Sequence, residues 1–272
     1  MDKLQRNERV AVLLKLLSDS PGKTFNLGVF TEMFGSAKSS ISEDIDIVGN
    51  LLERFGIGSI ETITGASGGV RYIPSLSRKN IAAILENLCG ELSKRERILP
   101  GGFLYMLDII SHPEKVTEIG RIFASQFCSK AVDYVITVET KGIPLAFTTA
   151  RFLNVPLVIV RHYNEATDGA SVNINYVSGS SKQIQTMALS LKSLKRNSSL
   201  LFIDDFMKGG GTAKGIIELA KEFDCEISGI GVLIEKVEPY KKLVENYFSI
   251  LTLNKVDEEN GIIDIRPSSS WK

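Results

Sequence analysis

Residues 200–212, LLFIDDFMKGGGT, place four apolar residues before two adjacent acids, a lysine and three glycines. An apolar run bounded in this way predicts a buried strand. The acids would then lie at its carboxyl end, the edge at which open α/β sheets bind ligands. After the glycines, apolar residues recur at helical spacing, as in Ala213, Ile216, Ile217 and Ala220. The stretch therefore predicts a strand, a glycine loop and a helix in succession.

The loop from Lys208 to Thr212 has the composition of an anion site. Glycines let backbone N–H groups close on an anion, and a helix start adds partial positive charge. Asp204 and Asp205 would repel a phosphate, but they fit a vicinal diol that donates hydrogen bonds to them, or a Mg²⁺ ion. A ribose 5-phosphate meets both needs. The glycine spacing excludes a Walker phosphate loop, and a dinucleotide fingerprint has its acid after the loop.

Further short apolar runs predict strands at 134–138, 156–160 and 229–234, and helical stretches separate most of them. Buried strands that alternate with helices are typical of a parallel α/β sheet. The stretch PSLSRKN at 74–80 indicates a linker. We therefore predict an N-terminal domain over 1–74, called the head below, and an α/β domain over 75–272, called the C-terminal domain.

The head shows three helical patterns followed by two extended segments. The first helix is predicted over 4–18, and the second is capped by Asn26 and stopped by Gly35. The third begins after an N-cap at Ser36 or Ser40 and carries an apolar stripe of Ile41, Ile45, Val48, Leu52 and Phe55. Extended runs at 59–64 and 70–73 complete the order of a winged helix-turn-helix domain.

A recognition helix reads bases with its first residues. The candidates for DNA contact are Lys38, Ser39, Ser40 and Ser42 on the third helix and Arg71 on the hairpin. Residues 1–75 hold eight Lys or Arg and nine Asp or Glu, a net charge of −1, whereas DNA-binding domains are usually basic. A winged helix that contacts protein remains the alternative.

Composition narrows the class of protein. The chain has 272 residues and zero net charge, so no global field attracts nucleic acid or an anionic membrane. Three widely spaced cysteines without a Cys-x-x-Cys pair indicate neither a disulfide framework nor a zinc site, and favour the reducing cytoplasm. No apolar run approaches the ~20 residues of a membrane span, and the N-terminus has a charged start instead of a signal peptide. We expect no catalytic residue and no protein-bound metal.

Taken whole, LLFIDDFMKGGGT resembles the phosphoribosyl pyrophosphate (PRPP) motif of type I phosphoribosyltransferases. The departures from the usual motif are Lys208 and Gly209, where small or hydroxyl residues are common. The resemblance implies that PRPP is the ligand, with Mg²⁺ as its companion ion. The implied contacts of this motif are Asp204, Asp205, Phe206, Met207, Lys208, Gly209, Gly210, Gly211 and Thr212.

Two other segments resemble the same family. YVITVETKGIP, at 134–144, resembles the pyrophosphate loop, which implies contacts from Thr140, Lys141 and Gly142 and a non-proline cis peptide that we place between Thr140 and Lys141. Arg161 resembles the family's basic residue near pyrophosphate. Taken alone, Lys141 fits a surface lysine and Arg161 a solvated strand end. Residues 168–182 resemble the mobile loop that covers the ligand.

Over essentially its whole length the chain resembles the purine operon repressor family of Gram-positive bacteria, with matches that include SAKSSISEDI, GASGGVRYIP and RILPGGFLYMLDI. The resemblance implies a homodimeric repressor that binds operator DNA of purine genes, has PRPP as effector and guanosine tetraphosphate as a competing ligand, and has Tyr105 near the effector. An activator would use the same parts. The alternative from another class is an active phosphoribosyltransferase, although no segment is evident that would bind its base.

Overall fold

The computed structural model describes residues 4–65, 68–163, 169–177 and 184–271. The head contains three helices and a hairpin: α1 (Arg6–Asp19), α2 (Leu27–Phe34), α3 (Lys38–Phe55), β1 (Ser59–Ile63) and β2 (Gly69–Ile73). The hairpin is antiparallel. This is the predicted winged helix, and its core is one cluster that includes Leu13, Phe30, Ile41 and Tyr72.

Local signals set most boundaries of the head. The Asn26 side chain accepts a hydrogen bond from the Gly28 N–H, and Gly35 ends α2 in the left-handed region. The prediction for the start of α3 is wrong, because Ala37 is its N-cap and no side chain caps it. Phe55 is also misplaced, since it is exposed at the end of α3, where the chain turns at Gly56.

The C-terminal domain is an α/β structure. Its helices are α4 (Arg78–Leu92), α5 (Leu107–Ser111), α6 (Pro113–Phe127), α7 (Ile143–Leu153) and α8 (Gly211–Glu222). Its strands are β3 (Ile98–Leu99), β4 (Phe103–Leu104), β5 (Tyr134–Val138), β6 (Leu157–Val160), β7 (Ser171–Val177), β8 (Ile184–Ser190), β9 (Ser199–Met207), β10 (Glu226–Lys236), β11 (Phe248–Asp257) and β12 (Ile262–Pro267). Within the described ranges, no helix is both long and apolar enough to cross a membrane.

The central sheet has the strand order β12-β11-β10-β9-β5-β6. All of its pairings are parallel except that of β11 with β12, so the predicted mainly parallel sheet is confirmed. Side chains from α4 to α7 pack with one set of strand residues, and side chains from α8 and the β7–β8 hairpin pack with another. Because β5 and β9 are neighbours, the segments that follow their buried residues meet at one edge of the sheet.

The head is hydrogen-bonded to the C-terminal domain through the end of α3. The Asn80 side chain donates to the carbonyls of Phe55 and Gly56, at 2.8 and 2.9 Å. Arg121 on α6 donates to the carbonyl of Ile57 at 2.7 Å. At the far end of α7, the carbonyl oxygen of Leu153 would lie 3.3 Å from a Cβ at Gly22 in the α1–α2 turn. Contacts from three places on the C-terminal domain therefore fix the head.

Candidate effector site and DNA-binding surface

A cavity of about 570 Å³ opens at the carboxyl edge of the parallel strands. It brings together the acid pair, the glycine loop and the segment after β5. The predicted residues that line it are Thr140, Lys141, Asp204, Asp205, Phe206, Met207, Lys208, Gly209, Gly210, Gly211 and Thr212. Its size is that of a small-molecule site. Segments more than 60 residues apart in the sequence thus converge on one space.

The acid pair lies within β9, which continues through Met207 instead of ending before Asp204. The Asp205 N–H donates to Asp204 Oδ1 at 2.9 Å. Burial and the neighbouring Asp205 raise the pKa of Asp204 well above its ordinary value. Burial also raises the pKa of Asp205, against the opposing effects of Asp204 and Lys141. Both carboxylates therefore carry an unfavourable desolvation that a hydrogen-bonding or cationic ligand would relieve.

Gly142 lies behind the acid pair and does not line the cavity. A Cβ at this residue would lie 2.5 Å from Thr137 Oγ1 and 2.9 Å from Asp204 Oδ1. Only glycine allows the backbone after β5 to come this close to β9. The non-proline cis bond of this segment joins Glu139 to Thr140, one residue earlier than the predicted place between Thr140 and Lys141.

The glycine loop leads directly into α8. Gly210 is its N-cap, with a φ of +81°, and Gly211 is the first helical residue. The β7–β8 hairpin lies over this helix, since a Cβ at Gly215 would be 3.1 Å from Tyr176 Cβ and Met187 Sδ. Burial raises the pKa of Tyr176, and its hydrogen bond with Thr212 opposes this shift. The hairpin therefore covers the N-terminal turns of α8.

Two further predicted residues, Arg161 and Tyr105, also lie near the cavity without lining it. The backbone of Arg161 pairs with Ala188 of β8, at 3.1 Å for its N–H and 2.7 Å for its carbonyl, which holds it against the hairpin. Tyr105 is 40% exposed and lies between Leu104 and Met106, both of which line the cavity.

Some lining residues were not predicted. They include His162, Tyr176, Gln185, Phe103 and Lys236, together with Gly101 and Gly102 of the β3–β4 turn. His162 follows Arg161 at the strand end, so a search along the sheet edge could have found it. The backbone N–H of His162 donates a hydrogen bond to the Glu139 carboxylate at 2.7 Å. Of the segment predicted to cover the ligand, residues 168 and 178–182 lie outside the described ranges, and its described part forms β7.

No group of three or more His, Cys, Asp or Glu residues that could hold a metal ion occurs in the described part of the chain. A Mg²⁺ ion at Asp204 and Asp205 would therefore complete its coordination with oxygens of the ligand and with water. That arrangement is usual for Mg²⁺ at phosphate sites. The two carboxylates fit an ion that arrives with a phosphorylated ligand.

The predicted DNA-contacting residues of α3 lie together on its first turns. Lys38, Ser39 and Ser42 are exposed, and Ser40 is half-buried. Arg71 lies elsewhere, because it pairs with Glu61 across the hairpin at 2.7 Å and faces a second cavity between the head and the C-terminal domain. The structure thus brings together four of the five residues and separates the fifth.

Two of the four acids of α3 pair with arginines of α1. Asp44 is fully buried and pairs with Arg9 at 2.7 Å, and Glu43 pairs with Arg6 at 2.9 Å. These pairs hold α3 against α1. Glu43 and Asp44 are therefore engaged in contacts within the head, and Lys38 is exposed at the start of the helix.

Comparison with known proteins identifies both parts. Residues 5–74 match the family described as "Bacterial purine repressor, N-terminal", and residues 107–267 match the phosphoribosyl transferase domain. The purine biosynthesis transcriptional repressor of Bacillus subtilis (strain 168) is 46% identical over 97% of this chain and 93% of its own. The chain belongs to the bacterial purine repressor family.

Members of the purine repressor family differ in the sign of regulation. The purine biosynthesis transcriptional activator of Lactococcus lactis subsp. lactis (strain IL1403) is 39% identical over 97% of both chains. Both relatives are transcriptional regulators, so the expectation of a regulator instead of an enzyme is confirmed. The adenine phosphoribosyltransferase of Rhodothermus marinus DSM 4252 shares the fold, with a TM-score of 0.54, 21% identity and coverage of 63% of this chain and 99% of that one.

Proposed function

We propose that this purine repressor family member regulates transcription of purine biosynthesis genes, as a cytoplasmic homodimer that binds operator DNA through its heads, with PRPP as effector in the 570 Å³ cavity. One observation carries the proposal. An acid pair suited to a ribose diol, a glycine loop suited to a phosphate and the Thr140–Lys141 segment face the same cavity. Each ligand group that PRPP presents has a matching protein group there.

In the proposed complex the ribose hydroxyls donate hydrogen bonds to Asp204 and Asp205. The 5-phosphate accepts hydrogen bonds from the glycine loop and Thr212. The pyrophosphate lies beside Thr140 and Lys141. A Mg²⁺ ion would be held by Asp204 and Asp205 and would neutralise part of the negative charge of the ligand. Because the pKa values of both acids are raised in the free protein, binding that favours their ionised forms releases protons.

The effector acts through linkage. A ligand that binds the DNA-bound and DNA-free conformations unequally contributes a coupling free energy, typically about 1–3 kcal/mol, or about 5- to 150-fold in affinity. We propose negative coupling, so that PRPP releases DNA and the protein represses, as the relative from B. subtilis does by name. Guanosine tetraphosphate, which also carries phosphates on a ribose, would compete for the same cavity and oppose PRPP.

The test is fluorescence anisotropy of DNA from upstream of a purine biosynthetic operon, titrated with full-length protein at fixed, moderate salt. The titration is repeated with PRPP and Mg²⁺, and with ribose 5-phosphate and Mg²⁺ as the control for bulk phosphate. We expect tight binding that PRPP weakens at least fivefold. Strengthened binding would reverse the sign of regulation. Unchanged DNA affinity at saturating PRPP would refute the linkage, and absence of PRPP binding by calorimetry would refute the effector.

A further inference from the structure

The glycine loop is held from behind by the segment that follows β10. Lys242 Nζ donates hydrogen bonds to the carbonyls of Lys208, Lys236 and Val237, at 2.6, 2.5 and 3.3 Å. The next residue, Leu243, donates its N–H to the carbonyl of Gly209 at 2.9 Å. Two successive carbonyls of the loop are therefore engaged by one side chain and one backbone group.

The same segment also packs against the loop. A Cβ at Gly210 would lie 3.2 Å from Val244 Cγ2, and Val244 is buried. Lys242, Leu243 and Val244 do not line the 570 Å³ cavity, whereas Gly209 and Gly210 do. The loop thus separates this supporting segment from the cavity.

Peptide geometry decides where the N–H groups of the loop point. In a trans peptide unit, the carbonyl of one residue and the N–H of the next point in opposite directions. The two cis bonds of the described chain lie elsewhere, at Glu139–Thr140 and Glu238–Pro239. Since the carbonyls of Lys208 and Gly209 point to the supporting segment, the N–H groups of Gly209 and Gly210 point to the opposite side, towards the cavity. Successive N–H groups turned the same way form an anion-binding nest.

We propose that Lys242 is the positioning residue of the phosphate loop: by fixing the Lys208 carbonyl behind the loop, it presents the Gly209 N–H to the phosphate of a ribose 5-phosphate group. The proposal rests on the proposed function in that the ligand carries this phosphate. Without the ammonium group the Lys208–Gly209 peptide unit is free to rotate. Its carbonyl would then face the phosphate and repel it.

The chain supplies a matched control in Lys241. This neighbouring lysine is exposed, and it makes none of the hydrogen bonds or ion pairs found in the described structure. Lys241→Met and Lys242→Met remove the same charge from the same segment, so long-range electrostatics affect both alike. Lys242→Arg keeps a cationic donor at the position and tests for rescue.

The experiment is calorimetry of the full-length variants with two probes and Mg²⁺: ribose 5-phosphate, and inorganic pyrophosphate. We expect Lys242→Met to bind ribose 5-phosphate about ten- to a hundredfold more weakly, the usual cost of losing hydrogen bonds to a charged group. Pyrophosphate, which uses Thr140 and Lys141, should change less than twofold. Lys241→Met should match wild type with both probes, and Lys242→Arg should recover most of the ribose 5-phosphate affinity.

A second readout does not depend on the ligand. Hydrogen exchange at the Leu243 amide, which is bonded to Gly209, should quicken in Lys242→Met and stay unchanged in Lys241→Met. Equal ribose 5-phosphate affinity in the two Met variants would overturn the proposal, as would equal loss of both probes in Lys242→Met. If wild type binds neither PRPP nor ribose 5-phosphate, the proposed function fails, and unchanged Leu243 exchange in Lys242→Met would then also overturn the positioning role.

Discussion

The head and the C-terminal domain place their functional groups in opposite ways. In the head, the candidate DNA contacts are neighbours on the first turns of α3, and they lie on the surface of a packed core. In the C-terminal domain, the candidate ligand contacts come from the ends of β5 and β9, the β3–β4 turn and the β7–β8 hairpin, and they surround a cavity. One surface is continuous in sequence, and the other exists only once the sheet has formed.

The acids of the two regions show the same contrast. Asp44 is buried but paired with Arg9 and Arg6, so its charge is balanced within the head. Asp204 and Asp205 are next to each other, and burial raises the pKa of both. A buried carboxylate that is paired with an arginine stabilises a fold. Two adjacent buried carboxylates with raised pKa values favour a ligand that supplies hydrogen-bond donors or a cation. The charges of the head therefore indicate architecture, and those of the cavity indicate a binding site.

The largest expected effect comes from filling the space between the segment that follows β5 and the acid pair of β9. Gly142→Ala places a Cβ 2.9 Å from Asp204 Oδ1, so the acid pair has to move. We expect PRPP affinity to fall by about a hundredfold, consistent with the 1–3 kcal/mol typical of overpacking. Calorimetry measures the change, while DNA affinity without PRPP should stay within twofold of wild type.

The control for this substitution is Gly90→Ala on α4, where an added Cβ would meet no atom within 4 Å. It should leave PRPP affinity unchanged. Normal PRPP binding by Gly142→Ala would show that the close approach of the two loops is not required.

A substitution in the head should weaken DNA binding instead of PRPP binding. Lys38→Ala removes an exposed cation from the start of α3 and should weaken operator binding by about tenfold, with the slope of log affinity against log salt reduced by about 1. PRPP affinity should not change. Lys221→Ala on α8, where the lysine pairs with Glu218, is the matched control. An unchanged salt slope in Lys38→Ala would remove Lys38 from the DNA-contacting surface.

A smaller effect is expected at the contact between the two regions. Arg121→Leu removes the 2.7 Å hydrogen bond to the Ile57 carbonyl and should leave the separate affinities for DNA and PRPP near wild type. The coupling free energy between them should fall by about 0.5–1 kcal/mol, or about 2- to 5-fold. DNA titrations at zero and saturating PRPP measure it.

Arg151→Leu is the control for the contact, because Arg151 stacks on the same Phe152 ring as Arg121, at 6.0 against 5.8 Å. The described structure shows no hydrogen bond from Arg151 to the head. Equal coupling in the two variants would mean that the Arg121 contact does not transmit the effector's influence.

The smallest effect is a gain in stability. Because the folded-state pKa of Asp204 is raised above its ordinary value of 3.8, ionisation at higher pH destabilises the fold. Asp204→Asn removes that cost and should raise the thermal midpoint at pH 7 by about 2–4 °C, the shift expected for about 1 kcal/mol in a domain of this size. The gain should disappear below about pH 4, where Asp204 is protonated in both states.

The same variant should bind PRPP more weakly, because an amide replaces an acceptor of the ribose diol. Asp264→Asn provides the opposite case, since Arg266 holds the pKa of Asp264 below its ordinary value. It should bring no gain in the thermal midpoint. A thermal midpoint of Asp204→Asn at or below that of wild type would show that the buried Asp204 carboxylate does not destabilise the free protein.

The sequence predicted those features that depend on neighbouring residues. Asn26 and Gly35 cap the two ends of α2 as expected. The acid pair, the glycine loop and α8 also follow one another as expected. The start of α3 was misplaced because Ala37 is an N-cap without a capping side chain. The strand β9 extends past its apolar run because its neighbour β10 continues to pair with it through Met207.

Features that depend on distant pairing were not visible in the sequence. Nothing local separates Lys242 from Lys241, because the carbonyls that Lys242 binds include one in a loop 34 residues away. The alternation of the β7–β8 hairpin predicts two faces but not which one lies over α8. Arg161 was predicted from its resemblance to a basic residue near pyrophosphate, but the pairing of its backbone with β8 decides its position.

Helix α7 runs from the cavity of the C-terminal domain to the head. Its N-cap is Gly142, directly behind the acid pair, and its last residue, Leu153, lies beside the turn at Gly22 in the head. Its 11 residues form a rod of about 16 Å. A tilt of α7 at its end near the cavity would therefore displace its other end, near the head. In the proposed dimer, such a lever would change the spacing of the two heads on an operator while each head keeps its own structure.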